Sequence, residues 1–408
     1  MTNGLNTLKE RGFIAQMTHE DEMMQLFENE KVTFYIGYDP TANSLHIGHY
    51  LTFMAMSWLQ QAGHRPIVLM GGGTGMVGDP TGRTESRRVM TVDEIDKNVA
   101  NFKLQAAKFI DFSDDRAIMV NNADWLRPLN YLEFIREYGL HFSVNKMLSA
   151  DTYKTKLEKG LSFFELNYMV MQAYDFLELN RRFSCVVQGG GNDQWSNIIA
   201  GVDLIRRVEA RPAFGFTCNL LVRPDGQKMG KSFGGVTWLD AAKTPVFDFY
   251  QFFRNTHDAQ VGQFLSMLTF LPMDEIKSLE GGDVNRAKEV LAYEVTKIVH
   301  GEDAAEQAKN SAKALFSGGG DSKHMPSFTL TITDFGDAQA LNITDLLVLT
   351  GLAPSKSEAR RNITQGGVAI GGEKIDNPAH MVQTTDFVDG NLIIQKGKKT
   401  FLKVIYEN

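Results

Sequence analysis

Residues 32–49 read VTFYIGYDPTANSLHIGH, an apolar run that stops at an Asp-Pro pair and leads into a polar turn. The run predicts a buried strand over Val32–Gly37, and Ser44 is a suitable N-cap for a helix over Leu45–Gln61. Apolar residues recur in that helix at positions 47, 51, 54, 55, 58 and 59, which form one face. A buried strand that turns directly into an amphipathic helix is typical of an α/β fold.

The same alternation of short apolar runs and longer amphipathic runs continues to about Ala210. Further strands are predicted over Pro66–Met70, Ala117–Asn121 and Phe183–Gln188. Further helices are predicted over Val92–Asp111, Tyr131–Gly139, Ser162–Leu179 and Gln194–Glu209. This order indicates parallel strands with helical crossovers, hence a doubly wound, Rossmann-like α/β domain with ligands beyond the carboxyl ends of its strands.

The chain after this region changes character. Residues 244–316 have helical periodicity, residues 317–323 read SGGGDSK and predict a linker, and Phe328–Thr333 is β-prone. We therefore expect a catalytic α/β domain over 1–230, an α-helical domain over 231–320 and a small α+β domain over 341–408.

Composition limits the class of protein. The 408 residues are 43% hydrophobic and carry a net charge of -7, which is ordinary for a globular protein and leaves local RNA-binding surfaces possible. The two cysteines, Cys185 and Cys218, lie in apolar runs and predict buried thiols in a reducing compartment. The N-terminus has no signal-like segment, and no apolar run reaches the roughly 20 residues of a membrane span, so we expect a cytoplasmic protein.

His46 and His49 are three residues apart, so they share a face in the first turn of the predicted helix. The free backbone N–H groups and the dipole of a helix N-terminus favour a polyphosphate, and histidine side chains beside it can stabilise developing charge. Two surface histidines with no such role are the alternative for the pair alone.

A second basic segment, residues 223–235, reads RPDGQKMGKSFGG. Its glycines let a loop close, and Lys228, Lys231 and Ser232 suit a departing pyrophosphate, although a solvated turn is the alternative. Arg83 and Arg87, in the segment GRTESR, form a comparable basic loop.

His46-Ile-Gly-His49 is the HIGH motif of class I aminoacyl-tRNA synthetases, and Lys228-Met-Gly-Lys231-Ser232 resembles the lysine loop of the tyrosyl branch of that family. Both motifs occur in the order that the family has, and the resemblance extends over essentially the whole chain. It implies that the transition state is stabilised by Thr41, His46, His49, Lys228, Lys231, Ser232, Arg83 and Arg87. It implies that ATP is bound by Gly37, Asp39, His46, Gly48, His49, Gly191, Asp193, Lys228 and Lys231. Magnesium is expected to arrive with ATP, and the sequence shows no protein cage for a metal.

One polar stripe crosses the apolar helix predicted at Ser162–Leu179, formed by Tyr168, Gln172 and Asp175 at i, i+4 and i+7. A buried carboxylate needs partners, and a purely structural hydrogen-bond network is the alternative to a binding site. The resemblance implies an L-tyrosine site, with Tyr35 and Asp175 on the phenol. It places Tyr168, Gln172 and Asp79 on the α-ammonium group and Gln194 near the carboxylate.

Residues 343–372 resemble the alpha-L RNA-binding motif. Ser355 can cap a helix that carries Lys356, Arg360 and Arg361, which suits phosphate contacts, and Lys396, Lys398 and Lys399 add basic charge. The net charge from Leu341 onward is +1, against -8 for the rest of the chain. A helix with solvated basic residues is the alternative.

The resemblance implies tyrosine–tRNA ligase activity, in which L-tyrosine and ATP give tyrosyl-adenylate and pyrophosphate and tyrosine then passes to the 3′-terminal ribose of tRNA(Tyr). It also implies a homodimer formed through about Leu126–Lys146. A tryptophanyl-tRNA synthetase is one alternative, against which the pair Tyr35 and Asp175 and the RNA-binding tail argue. A catalytically inactive, synthetase-derived RNA-binding protein is another, but it would be expected to carry damaged histidine or lysine motifs.

Overall fold

The computed structural model describes residues 3–81, 90–158, 160–222, 231–232, 235–316, 327–335, 340–397 and 400–407. The chain divides into two compact units: unit 1 comprises Met1–Thr244 and Asn255–Val299, and unit 2 comprises Pro245–Arg254 and His300–Asn408. The division into three domains at 1–230, 231–320 and 341–408 stays a prediction. No helix in the described ranges is both long and apolar enough to cross a membrane.

The α-helices of the described ranges are α1 (Gly4–Glu10), α2 (Glu20–Asn29), α3 (Ile47–Gln61), α4 (Val92–Ala106), α5 (Ala123–Leu126), α6 (Tyr131–Glu137), α7 (Val144–Ser149), α8 (Asp151–Leu157), α9 (Phe163–Phe183), α10 (Trp195–Val208), α11 (Val246–Arg254), α12 (Val261–Leu268), α13 (Met273–Glu280), α14 (Val284–His300), α15 (Glu302–Phe316), α16 (Ile332–Phe335), α17 (Ile343–Leu349) and α18 (Lys356–Thr364). The strands are β1 (Ile14–Met17), β2 (Thr33–Tyr38), β3 (Arg65–Met70), β4 (Ile118–Asn121), β5 (Val187–Gly191), β6 (Phe214–Cys218), β7 (Lys231–Ser232), β8 (Gly235–Val236), β9 (Ser327–Thr331), β10 (Ala340–Asn342), β11 (Val368–Ile370), β12 (Glu373–Ile375), β13 (Met381–Gln383), β14 (Asn391–Lys396) and β15 (Thr400–Glu407).

A six-stranded sheet with strand order β1-β6-β5-β2-β3-β4 forms the centre of unit 1. β2 pairs in parallel with both β3 and β5, which continue in parallel to β4 and β6, and β1 joins the edge antiparallel. The chain runs outward from β2 through β3 and β4 and then returns to the other side of β2, so the strand order reverses between β2 and β5. Doubly wound sheets bind ligands beyond the carboxyl ends of their strands at such a reversal.

The four predicted strands are present as β2, β3, β4 and β5, and the first three lie within one residue of their predicted bounds. β5 begins at Val187 and not at Phe183, because α9 continues through Phe183. Its C-cap is Ser184, whose φ of 53° lies in the left-handed region. The strands β1 and β6, which lie at one side of the sheet, were not predicted. α4 ends at Ala106, five residues before the predicted end at Asp111.

The helices α9 and α10 cover one face of this sheet. The core that the helices form with the sheet contains fully buried apolar side chains such as Phe176, Leu177 and Ile198. Burial of each large apolar side chain contributes about 1.5–3 kcal/mol, so this face is well fixed. The core also includes Tyr35 from β2 and Cys185. Polar groups that reach this face are therefore held in a dry, rigid setting.

Unit 2 contains a five-stranded sheet of order β12-β11-β14-β15-β9 and a separate pair of strands, β10 and β13. β9 pairs in parallel with β15, so the first four residues of the β-prone segment predicted at Phe328–Thr333 belong to this sheet, and its last two residues begin α16. The helices α17 and α18 share its core, which includes Leu330, Leu346, Ile363 and Val404. The same unit contains α11 and α15, which pack against each other.

Candidate active site

The residues predicted to bind substrates converge at the carboxyl edge of the central sheet. Asp39 follows β2, the glycine segment 71–75 follows β3, Asn122 follows β4, and Asp193 and Gln194 follow β5. Because these four strands are parallel, their carboxyl ends meet at one edge. The site therefore lies where the reversal of strand order predicts it.

His46 and His49 close the first turn of α3 by hydrogen bonds to the backbone. The Nδ1 atom of His46 accepts from the Gly48 N–H at 3.1 Å, and the Nδ1 atom of His49 accepts from the His46 N–H at 3.1 Å. The two rings stack with their centroids 3.8 Å apart. Since both Nδ1 atoms are acceptors, a neutral ring carries its proton on Nε2, and that N–H is a donor.

The N-cap of α3 is thus His46, and the prediction that Ser44 caps this helix was wrong. The Ser44 hydroxyl instead lies 2.9 Å from the Leu45 carbonyl oxygen and 3.2 Å from Oε1 of Gln105. The histidine takes the capping position because its Nδ1 reaches a free N–H of the first turn, as a serine oxygen would.

The segment that follows the lysine loop pairs with this histidine turn. The Ile47 N–H donates to the Thr237 carbonyl at 3.2 Å, and the Leu239 N–H donates to the Leu45 carbonyl at 2.9 Å. Lys231 and Ser232 form β7, a few residues before Thr237. The backbone therefore brings the end of the second motif to the first. Lys228, Arg83 and Arg87 lie outside the described residues.

Asp175 on α9 is a buried carboxylate with two fixed donors. Its Oδ2 accepts from the Asn122 amide at 2.8 Å, and its Oδ1 accepts from the Trp125 indole N–H at 2.7 Å. Burial raises the pKa of Asp175 to about 8, and these two hydrogen bonds oppose that rise. The buried hydroxyl of Tyr35 has no hydrogen-bond partner among the described residues, and burial together with Asp175 raises its pKa well above the usual value.

A polar chain leads from Asp175 toward the histidine turn. The Asn122 amide also donates to the Thr74 hydroxyl at 2.9 Å, and that hydroxyl donates to Oδ1 of Asp39 at 2.7 Å. The Tyr168 hydroxyl donates to Oδ2 of Asp39 at 2.9 Å. The helix stripe and the end of β2 are therefore parts of one network.

A second network joins the other predicted tyrosine-site residues. The Gln194 amide donates to Oδ2 of Asp79 at 2.7 Å. The Asn197 amide, which is buried, donates to Oε1 of Gln172 at 3.0 Å and to Oε1 of Gln194 at 3.2 Å. Asp79, Gln172 and Gln194 thus lie together, and the two glutamines are joined by Asn197 of α10, which was not predicted.

Glycines let the backbone pass close to these groups. A Cβ atom at Gly71 would lie 2.2 Å from Oδ1 of Asp39, and one at Gly48 would lie 2.9 Å from the His46 ring. Side chains at these positions would displace the carboxylate or the ring.

The other residues predicted to bind ATP lie at the same edge of the sheet. Gly37 is exposed at the end of β2, and the Thr41 N–H donates to the Asp39 carbonyl at 2.8 Å. Gly191 ends β5.

Sequence reasoning missed Thr74, Asn122, Trp125 and Asn197. The signal for Asn122 was available, because the predicted strand ends at Asn121 and a second asparagine directly follows it. Trp125 and Asn197 gave no local signal, since their role comes from packing against α9. No group of three or more His, Cys, Asp or Glu side chains suited to a metal ion occurs among the described residues.

In unit 2, Ser355 caps α18 as predicted, accepting from the Glu358 N–H at 3.3 Å. Lys356, Arg360 and Arg361 are exposed on this helix, and Lys356 pairs with Asp345 at 2.6 Å. Lys398 and Lys399 lie outside the described residues.

Comparison with known proteins identifies the family. Residues 28–317 match the family described as tRNA synthetases class I (W and Y), and residues 320–404 match the tyrosine–tRNA ligase SYY-like C-terminal domain. A tyrosine–tRNA ligase of Clostridium botulinum (strain Alaska E43 / Type E3) is 54% identical over 407 residues, 99% of each chain. This chain belongs to the tyrosine–tRNA ligase family.

Further relatives agree with this membership. A tyrosine–tRNA ligase of Clostridium kluyveri is 55% identical over 408 residues, covering 99% of this chain and all of the relative. A solved structure of a C-terminally truncated mitochondrial tyrosyl-tRNA synthetase of Aspergillus nidulans has a TM-score of 0.70 and 32% identity, over 78% of this chain and 95% of that one. The predicted Rossmann-like fold class and the predicted family are thus confirmed.

Proposed function

We propose that the protein is a tyrosine–tRNA ligase that works in two steps. The carboxylate of L-tyrosine attacks the α-phosphorus of ATP, which gives tyrosyl-adenylate and releases pyrophosphate. A hydroxyl of the 3′-terminal ribose of tRNA(Tyr) then attacks the carbonyl carbon of the adenylate, and AMP leaves. The observation that carries this proposal is the buried Asp175 carboxylate, joined through Asn122 and Thr74 to Asp39 at the carboxyl end of β2.

The phenol of tyrosine is recognised by Tyr35 and Asp175 in this proposal. The Asp175 carboxylate, oriented by Asn122 and Trp125, accepts a hydrogen bond from the phenol O–H, and the Tyr35 hydroxyl donates to the phenol oxygen. An amino acid without that hydroxyl leaves the buried Tyr35 hydroxyl without a partner and Asp175 with one hydrogen bond fewer, which disfavours its binding. Selectivity for tyrosine therefore follows from the contacts of Tyr35 and Asp175 with the phenol hydroxyl.

The α-amino and carboxylate groups of tyrosine are held by the two networks described above. Asp79 and the oxygens of Tyr168 and Gln172 receive the α-ammonium group, and the Gln194 amide lies near the carboxylate. The hydrogen bonds among Asp79, Gln194 and Asn197 fix these groups before substrate binds, which lowers the entropy that binding costs.

ATP is bound at the carboxyl edge and along the start of α3. The Nε2–H groups of His46 and His49 donate to phosphate oxygens, with Thr41 beside them, and stabilise charge that develops on the α-phosphate. The glycines Gly37, Gly48 and Gly191 let the nucleotide approach the backbone, and Asp39 and Asp193 hold polar groups of the nucleotide. Arg83, Arg87, Lys228, Lys231 and Ser232 act on the pyrophosphate. Magnesium is carried with ATP.

We propose that the C-terminal segment from Leu341 binds tRNA through Lys356, Arg360 and Arg361, and that the protein works in the cytoplasm.

We also propose a homodimer formed through about Leu126–Lys146. This segment exposes large apolar side chains, with Leu132 at 76% and Leu140 at 71%, and such patches are typical of interfaces. Light scattering should give twice the chain mass of 45.6 kDa, and the mass of one chain at micromolar concentration would contradict the dimer.

The experiment that tests the proposed function is exchange of labelled pyrophosphate into ATP without tRNA. Tyrosine, tryptophan and phenylalanine are supplied separately. We expect exchange with tyrosine alone, because only its hydroxyl satisfies Tyr35 and Asp175. Exchange with tryptophan would show that the pocket is wrongly assigned. Exchange with none of the three, from folded protein, would favour a non-catalytic RNA-binding role.

A further inference from the structure

Helix α4 contacts the histidine turn and the segment before it, from Pro40 to Leu45, through one stripe of side chains. Asn98, Phe102 and Gln105 lie at i, i+4 and i+7 and therefore share a face. The Asn98 amide donates to the Pro40 carbonyl at 2.9 Å, and the Phe102 ring meets the His49 ring edge-on at 5.6 Å.

Gln105 makes the contacts that lie nearest to His46. Its Oε1 atom accepts from the Leu45 N–H at 2.9 Å and lies 3.2 Å from the Ser44 hydroxyl. Leu45 and Ser44 are both fully buried, so this N–H would be left without a partner if Gln105 were apolar. Residues 41–45 belong to neither a helix nor a strand, so the Leu45 N–H has no partner from regular secondary structure and is satisfied by this side chain.

We propose that Gln105 is a positioning residue for adenylate formation. Its amide oxygen fixes the backbone at Ser44 and Leu45 and thereby fixes where the His46 ring meets the phosphates of ATP. This inference rests on the proposed function, because it assumes that the histidine turn is where ATP reacts. The tyrosine-site residues Asp175, Gln172 and Gln194 lie on other elements, so Gln105 acts on the chemical step and not on tyrosine binding.

A matched control is available in Gln60. Its amide donates to the Asp111 carbonyl at 2.7 Å and its Oε1 accepts from the Asp111 N–H at 3.0 Å, so it also joins a buried side-chain amide to the backbone. It lies at the far end of α3 from His46. Gln60→Met therefore removes a similar interaction away from the turn.

The test compares Gln105→Met, Gln105→Glu and Gln60→Met in tyrosine-dependent pyrophosphate exchange, with the tyrosine Kd from equilibrium dialysis and Tm measured alongside. Because misplacing a catalytic group by about 1 Å can lower the rate 100-fold, we expect Gln105→Met to lower kcat by about 10–100-fold. The tyrosine Kd should stay within about twofold. Gln105→Glu keeps an accepting oxygen and should restore most of kcat at saturating ATP. Gln60→Met should lower Tm without lowering kcat.

A folded Gln105→Met protein with wild-type kcat would overturn the inference, as would an equal loss of kcat in Gln60→Met. Failure of Gln105→Glu to recover any activity would also count against it. If the wild-type protein gives no exchange with tyrosine, the proposed function fails and this inference fails with it. If the wild-type protein gives exchange and Gln105→Met keeps the same kcat, only the inference about Gln105 fails.

Discussion

Replacing Asp175 with Asn is expected to lower kcat/KM for tyrosine about 100- to 1,000-fold in pyrophosphate exchange. The carboxylate uses one oxygen for Asn122 and the other for Trp125, and it also accepts a hydrogen bond from the phenol O–H of the substrate in the proposed complex. An asparagine has one accepting oxygen, so its NH₂ group would face a donor and the phenol would lose its acceptor. Steady-state exchange at varied tyrosine measures the loss.

Glu178→Gln is the matched control, since Glu178 is a buried carboxylate on the same helix whose partners are Arg182 at 2.6 Å and Arg181 at 3.7 Å. Its kcat/KM should stay within about threefold of wild type, because these partners are arginines in the last turn of α9 and not residues proposed to bind substrate. An equal loss in both variants would mean that any change of charge on α9 damages the enzyme, and that Asp175 has no special role.

The pH dependence gives a second check on Asp175. Burial raises the pKa of this carboxyl to about 8, and the ionised form is the one that accepts a hydrogen bond from the phenol O–H. A larger ionised fraction at higher pH should therefore raise kcat/KM for tyrosine until the pH passes about 8, after which it levels off. Asp175→Asn should lack this rise. An identical pH profile in the two proteins would contradict the assignment.

Replacing His46 with Asn is expected to lower kcat for adenylate formation about 100- to 1,000-fold while leaving the fold intact. Asparagine is a good N-cap, so it can take over the hydrogen bond that Nδ1 of His46 accepts from Gly48. It cannot supply the Nε2–H donor. Rapid-quench measurement of adenylate formation at saturating tyrosine and ATP separates this step from substrate binding.

His46→Ala separates the catalytic role of the histidine from its capping role. It should lose as much activity as His46→Asn and also about 1 kcal/mol of stability, because the cap is lost. Urea unfolding of the three proteins measures that difference. If His46→Asn keeps wild-type kcat, His46 is only a cap and the transition state is stabilised elsewhere.

Part of the fold could be predicted from periodicity, because central strands such as β2 and β3 are mostly buried and stand out as apolar runs. The short strand β1 has three partly buried residues and one exposed residue, so it does not stand out. The strand β6 is fully buried but was also missed, since Gly215 and Thr217 interrupt its apolar residues. The end of α9 was missed for another reason. Its C-cap, Ser184, has a left-handed backbone conformation that is usually marked in a sequence by glycine, and here the residue is serine.

The predicted site residues that the structure describes lie where the sheet topology brings them, but their roles stay predictions. The residues that orient them could not be predicted. Trp125 lies 50 positions from Asp175, and Gln105 follows the exposed Leu104 on α4, so neither differs locally from a packing or surface residue. The hydrogen-bond partners of such residues are determined by tertiary packing.

The most direct test of the proposed function follows tyrosine through both steps with one preparation. Protein is incubated with labelled tyrosine, ATP and magnesium, the complex is separated from free tyrosine, and tRNA(Tyr) is added. The two-step mechanism predicts that the label stays with the protein and then passes to the 3′ end of the tRNA. A complex that never forms, or one whose label is released as free tyrosine when tRNA(Tyr) is added, would contradict it.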